Sequence, residues 1–238
     1  MSFAEIMQAK GIEAGLSFTD RQLEQFTAYY ELLVETNKVM NLTAITEPED
    51  VAVKHMIDSL LAFEPQAFEG KTLADVGTGA GFPGIPLKIY CPSLKVTLID
   101  SLAKRLKFLQ TVIDRLELKG IRCVHLRAED AGRDPQHREK YALVTARAVA
   151  RLSVLAEYCL PLVKVGGSFI ALKGSKYQEE IAVGGKSLSI LGGKLVSAEA
   201  VKLPGLDDGR AIVKIAKIKT TPKAYPRKAG LPDKQPLE

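Results

Sequence analysis

Between Thr72 and Ile89 the chain reads TLADVGTGAGFPGIPLKI, and this stretch constrains the fold more than any other. A short apolar run, Leu73, Ala74 and Val76, leads into Gly77, Gly79, Gly81 and Gly84, and Pro86 opens a short amphipathic segment. Glycines at that density let a strand turn abruptly into a helix. Without Cβ atoms they also let a ligand lie directly on the backbone. The first turn of such a helix carries unpaired N–H groups and the positive end of its dipole. The pattern predicts a nucleotide-type cradle.

The loop alone leaves the nucleotide open. Gly79-x-Gly81-x-x-Gly84 satisfies the dinucleotide fingerprint, so an NAD-dependent oxidoreductase is one reading. Two features favour S-adenosylmethionine (SAM). Asp75 stands two residues before Gly77, at a strand end where it is expected to face the ligand. A carboxylate there repels a pyrophosphate and suits a ligand with a positive centre and an amino group. The glycines also extend upstream as Gly77-x-Gly79-x-Gly81, denser than a pyrophosphate loop requires.

The surrounding periodicity predicts the rest of the architecture. Residues 1–65 read as helices: a short one over Phe3–Ile12, then one capped by Thr19 with Gln22, burying Leu23, Phe26, Tyr30, Leu33 and Val34. Thr46 with Glu49 predicts a second capping box, ahead of a helix whose face is Val53, Met56, Ile57 and Leu60. From residue 66 to 218 the pattern alternates. Strands are expected at Thr72–Val76, Val96–Asp100, Arg122–Leu126, Ala142–Ala146 and Gly167–Lys173, with helices near 85–90, 102–119, 151–163 and 177–191. Alternation of this kind means a mostly parallel sheet with crossovers on both faces. Two more strands near 195–203 and 211–218 have only a Pro- and Gly-containing loop between them, which predicts a C-terminal antiparallel hairpin. The fold class expected is α/β, a Rossmann-like class I SAM-dependent methyltransferase preceded by a helical segment. A two-domain dehydrogenase needs a second βαβ half, for which too little chain remains. Residues 219–238 hold four prolines and few large apolar groups, and read as an extended surface tail.

Charge is unevenly spread. Residues 1–70 carry 4 basic and 12 acidic side chains, 71–213 carry 22 and 14, and 214–238 carry 7 and 2. The net +5 thus hides an acidic leader followed by a basic domain and tail, to which a polyanion is drawn. Cys91, Cys123 and Cys159 are too far apart for a CxxC motif, and their odd number argues against a disulfide framework. With no secretory leader pattern and no long apolar run, a cytoplasmic protein without a membrane segment is expected.

Several residues carry chemistry. Asp100 ends the second strand, where an acidic residue accepts ribose hydroxyls in Rossmann-like folds. Ala128 and Glu129 follow the third strand, where an adenine ring would be edged. Lys104 and Arg105 sit in a first helical turn, against the dipole's preference, which points to phosphate binding. Arg147 and Arg151 follow the fourth strand in TARAVAR. His55, Asp58 and Ser59 have hydrolytic residue types, but their i, i+3, i+4 spacing on one helix predicts a local hydrogen-bonded cluster. His125 and His137 lack companion ligands, so no metal is expected. Cys159 reads as a buried thiol, and no Asn-Pro-Pro-Tyr type motif follows the fourth strand. These absences disfavour cytosine-C5 and exocyclic-amine chemistry. Guanine N7 offers a free lone pair and loses no proton, so transfer there needs positioning and little acid–base machinery.

The chain resembles the bacterial small-subunit ribosomal RNA guanine-N7 methyltransferase family, also called glucose-inhibited division protein B. The segments that carry the likeness are NLTAI at Asn41–Ile45, KHMIDSL at Lys54–Leu60, DVGTGAGFPGIPLKI at Asp75–Ile89 and IDSLAKRLKFL at Ile99–Leu109. RAED at Arg127–Asp130, TARAVARL at Thr145–Leu152, LPLVKVGGSFIALKG at Leu160–Gly174 and TPKAYPRKAGLPDKQPL at Thr221–Leu237 complete it. The resemblance implies SAM-dependent methylation of a guanosine in the 530 loop of 16S rRNA, on the small subunit or its precursor. It implies cofactor contacts at Gly77, Phe82, Ala128, Glu129 and Arg147, to which the residues themselves add Asp75, Gly79, Gly81 and Asp100. Arg147 is expected to act by positioning, with no general base. Lys104, Arg105, Arg151, Arg227 and Lys228 are expected on the RNA, and the protein is expected to be a monomer. The other readings kept open are the NAD-dependent oxidoreductase and a non-catalytic RNA-binding factor.

Overall fold

A computed structural model describes residues 1–238. Seven strands form one sheet: β1 (Thr72–Val76), β2 (Lys95–Asp100), β3 (Ile121–His125), β4 (Tyr141–Arg147), β5 (Val163–Lys173), β6 (Gly193–Val201) and β7 (Arg210–Lys217). Their spatial order is β3-β2-β1-β4-β5-β7-β6. The first five pair in parallel, and β7 inserts antiparallel between β5 and β6. The strand order reverses between β1 and β4, so a crevice opens beyond their carboxyl ends, where open α/β sheets place their ligands.

Helices cover both faces. The leader supplies α1 (Phe3–Glu13), α2 (Asp20–Met40), α3 (Pro48–Val51), a π-helical turn over Ala52–Ile57, α4 (Asp58–Leu60) and α5 (Pro65–Phe68). The sheet's own helices are α6 (Gly84–Tyr90), α7 (Ala103–Arg115), α8 (Ala128–Arg133), α9 (Leu152–Cys159) and α10 (Tyr177–Leu191), and α11 (Leu231–Lys234) lies in the tail. The core splits accordingly. Leu73, Leu98 and Ile170 pack with Phe26, Tyr29, Met56 and Leu109 on the leader's side, and Ala74, Val76 and Phe169 pack with Leu155 and Leu188 on the other. Strand alternation divides the two sets.

Some expectations need correction. The Thr19–Gln22 capping box forms, but the Thr46–Glu49 box does not. Pro48, with its preset φ, begins α3 instead, and Glu47 caps it without a side-chain hydrogen bond. A short helix, α8, stands between β3 and β4 where the periodicity predicts none; six residues are too few to show a period. The helices expected over 102–119 and 151–163 are shorter, because Glu117 turns into the left-handed region and β5 already begins at Val163.

The tail is packed against the sheet domain rather than extended over solvent. Arg227 grips Glu157 of α9 through Nη2–Oε2 at 2.6 Å and Nε–Oε1 at 2.9 Å, and its backbone N–H donates to Oε1 at 2.7 Å. The Glu157 side chain is only 1% exposed. Arg138 donates to the carbonyls of Gly132, Thr221, Pro222 and Tyr225, and Arg133 to that of Pro226. Arg227→Ala leaves the Glu157 carboxylate buried without its cation, at an expected cost of about 3 kcal/mol. Urea denaturation checks this. A loss below about 1 kcal/mol would show that the tail lies outside the cooperative unit.

Candidate cofactor site and its substrate-facing edge

A cavity of about 510 Å³ opens at the carboxyl ends of β1 to β4, a size in the range of small-molecule and cofactor sites. Val76 and Gly77 supply its floor from β1, Asp100 and Ser101 come from β2, and Arg127, Ala128 and Glu129 follow β3. Ala148, Val149 and Ala150 close it from the loop after β4. Ala148 holds φ +53°, a costly conformation for a residue with a Cβ. Gly77 holds φ +65°, and a Cβ there would lie 2.8 Å from Val149 Cγ2. The floor of the cavity therefore requires glycine.

Asp100 is the fixed point of this crevice. Its Oδ2 accepts the Gly79 N–H at 3.0 Å and its Oδ1 the Leu102 N–H at 2.9 Å, with Arg105 Nη1 at 3.5 Å. Two backbone donors and a cation fix the carboxylate at the cavity wall. Glu129 is 5% exposed, and its Oε1 accepts the Gly230 N–H of the tail at 2.8 Å.

Asp75 sits elsewhere. It is fully buried, accepts from the Gly84 N–H at 3.1 Å and from Thr145 Oγ1 at 3.0 Å, and does not line the cavity. Strand alternation sends Val76 to the cavity side and Asp75 to the leader's side, where it caps the start of α6. Burial pushes its carboxyl up to about 6, against hydrogen bonds from Gly84 and Thr145 that favour the charged form. Gly81 is likewise a packing position, since a Cβ on it would lie 2.5 Å from the Tyr29 hydroxyl oxygen.

Phe82 and Arg147 belong to a second cluster beside the cavity. The Phe82 ring stacks on His55 at 4.6 Å and on Tyr29 at 5.4 Å, and the Arg147 guanidinium lies 5.0 Å from its centroid. Arg147 Nη1 donates to Asp58 Oδ2 at 2.7 Å and to the Lys54 carbonyl at 3.0 Å. Arg147 Nη2 lies 3.3 Å from His55 Nδ1. Nδ1 also lies 3.1 Å from the Lys54 carbonyl oxygen, and Nε2 lies 2.8 Å from Thr43 Oγ1, so both ring nitrogens have polar partners. Burial and the neighbouring Arg147 charge push the His55 imidazole down to about 4. The Ser59 hydroxyl donates to the His55 carbonyl and not to the imidazole. Arg210 Nη1 approaches Asp58 Oδ1 at 3.3 Å. His55 lies in the π-helical turn, a local distortion that often marks a functional position.

The five cations expected on RNA divide into two groups. Lys104 and Lys228 are exposed and Arg105 is half-exposed beside Asp100. Arg151 pairs with Glu238 at 2.8 Å and Arg227 is held by Glu157, so both have partners inside the chain. Sequence reasoning left out Tyr29, Tyr158, Gly230 and Asp233. The last three line the cavity, and nothing in the composition of the tail signals that it reaches there.

Comparison with known proteins turns this geometry into a family. Residues 22–207 match the family model described as rRNA small subunit methyltransferase G. The chain belongs to this family. A relative of that name in Lactobacillus johnsonii is 52% identical over 98% of this chain and 99% of its own. Another, in Pelotomaculum thermopropionicum, is 51% identical over 98% of both chains. The fold is also that of a SAM-dependent O-methyltransferase from Thermotoga maritima, with a TM-score of 0.51 at 16% identity over 80% of this chain and 72% of that one. No helix is long and apolar enough to cross a membrane.

The buried imidazole makes the methyltransferase's stability depend on pH. His55 titrates near 6.5 when unfolded and near 4 when folded, so its contribution is complete above pH 6.5 and is lost as pH falls toward 4. Asp75, raised in the fold, acts in the opposite sense: its contribution is lost as pH rises through about 6. His55→Gln removes only the first effect. The difference in melting temperature between wild type and His55→Gln, followed from pH 7.5 to 4.5, is expected to shrink in the variant's favour as pH falls. Parallel curves would show that His55 is not buried neutral.

Proposed function

We propose that this SAM-dependent rRNA methyltransferase transfers a methyl group to N7 of a guanosine in the 530 loop of 16S rRNA. The observation that carries the cofactor half of this reading is the glycine-floored cavity with a pinned carboxylate at its wall. Asp100, with Glu129 and Asp233, gives the lining more acidic than basic side chains, against Arg105 and Arg127. Such a lining suits a sulfonium cofactor and opposes a pyrophosphate, which argues against NAD. The remaining lone pair of Asp100 holds a ribose hydroxyl, and Ala128 with Glu129 bounds the adenine end.

SAM supplies an electrophilic methyl group on a positively charged sulfur. The chain's own residues then have to bind, orient and exclude water. Guanine N7 attacks through an in-plane lone pair and no proton leaves, so the absence of a base at the cavity is no obstacle. His55 is not required as one, because it is packed beneath Phe82 and hydrogen-bonded at both ring nitrogens. Arg147, fixed by Asp58, the Lys54 carbonyl and the Phe82 face, positions the target at the β4 edge. Lys104, Arg105 and Lys228 contact phosphates, while Arg151 and Arg227 hold the tail that presents Lys228. In this reading the protein acts as a monomer.

Calorimetry is expected to give 1:1 binding of SAM and none of NADH. Arg147→Lys keeps the charge but loses the planar fork. It is expected to lower methyl transfer roughly 100-fold, the scale of a misplaced substrate. Binding of NADH without SAM, or an Arg147→Lys variant of wild-type rate, would refute the respective half of this reading.

A further inference from the structure

The family match ends at residue 207, yet the cavity wall continues into the tail, where Gly230 and Asp233 line it beside Tyr158. That wall is built rather than accidental. Arg227 locks onto the buried Glu157 one residue before Tyr158, and Arg138 gathers four carbonyls on its two terminal nitrogens. Pro226 packs so closely on α8 that a Cβ on Gly132 would lie 2.8 Å from its Cγ. Glu129 completes the attachment by accepting the Gly230 N–H.

Three carboxylates line the cavity, and two are already engaged. Asp100 receives two backbone N–H groups and Arg105, and Glu129 receives Gly230. Asp233 is exposed and has no hydrogen bond or ion pair within the chain. It lies in the short helix α11 that follows Gly230, whose N–H is bound by Glu129, so it lines the cavity on the Glu129 side. An adenine whose ribose rests on Asp100 brings its exocyclic amino group to that side. The amino group has two hydrogens to donate and no use for a cation. Burial, and the carboxylates of Glu129, Asp233 and Glu157, push the Tyr158 phenol up to about 12. Tyr158 therefore remains a neutral donor for a ring nitrogen.

We propose that the C-terminal tail is part of the cofactor site, with the Asp233 carboxylate accepting the adenine amino group of SAM and Glu129 serving to hold the tail in place. The assignment rests on the SAM reading above and adds to it a residue outside the matched domain. It also gives the tail a task separate from RNA.

The test uses S-adenosylhomocysteine, whose neutral sulfur removes any long-range charge effect, and its deaminated analogue S-inosylhomocysteine, which carries an oxygen in place of the amino group. Calorimetry on the full-length wild type is expected to show a preference for the adenosyl compound of about tenfold or more, the value of a hydrogen bond to a charged group. Asp233→Ala is expected to bind the adenosyl compound about tenfold more weakly and to lose the preference. Asp233→Asn, which keeps an acceptor oxygen, is expected to retain part of it. The Asp233 side chain makes no hydrogen bond or ion pair within the chain, so circular dichroism and melting temperature should match wild type. Unchanged affinity and preference in Asp233→Ala would overturn the proposal while leaving the cofactor reading intact. A wild type that binds neither compound nor SAM would overturn both.

Discussion

A guanidinium buried against an aromatic ring must have its charge paired and its N–H groups satisfied, or the site unfolds around it. Arg147, whose side chain is 12% exposed, meets that demand from three separate parts of the chain. Asp58 and the Lys54 carbonyl come from the leader, Phe82 comes from the glycine turn, and the arginine itself ends β4. The leader is therefore joined to the sheet at the edge of the crevice. Tyr29 adds a second junction by donating to the Ala80 carbonyl and filling the space over Gly81. Loosening the leader would move the glycine turn and Arg147 together.

Arginine plays the same part on the opposite flank. Arg138, Arg133 and Arg227 attach the tail to α8 and α9 through carbonyls and one buried carboxylate. A chain with a net charge of +5 thus spends several of its cations internally. Such cations rigidify the cavity walls and are not available to a phosphate. The cationic charge left free on the surface is therefore smaller than the composition suggests.

This division explains what could be read from the sequence. The alternation of strands and helices, the closing hairpin and the glycine turn are local signals set by side-chain period and backbone freedom, and they match the observed fold. The face chosen by Asp75 is different. β1 is buried on both sides, so hydrophobicity does not distinguish its faces, and only the packing of α6 against the leader decides that the carboxylate caps Gly84. Arg227 and Lys228 are adjacent and both basic, yet one is held in an ion pair with a buried carboxylate and the other faces solvent; only the position of Glu157, seventy residues away, separates them. The local hydrogen-bonded cluster expected of His55, Asp58 and Ser59 reduces to the Ser59 bond to the His55 carbonyl, while Asp58 pairs with an arginine 89 residues beyond it. Long-range pairing of this kind leaves no periodic trace.

The central claim is that this crevice delivers a methyl group to ribosomal RNA. Its most direct test is to incubate the purified protein with SAM labelled in the methyl group and with 16S rRNA, either naked or within small subunits from a strain lacking the enzyme. The label is then located by nuclease digestion and mass spectrometry. The account predicts one labelled N7-methylguanosine within the 530 loop, in at least one of the two substrates. Label on another base or ring position, or none on either substrate while SAM binds normally, would contradict it.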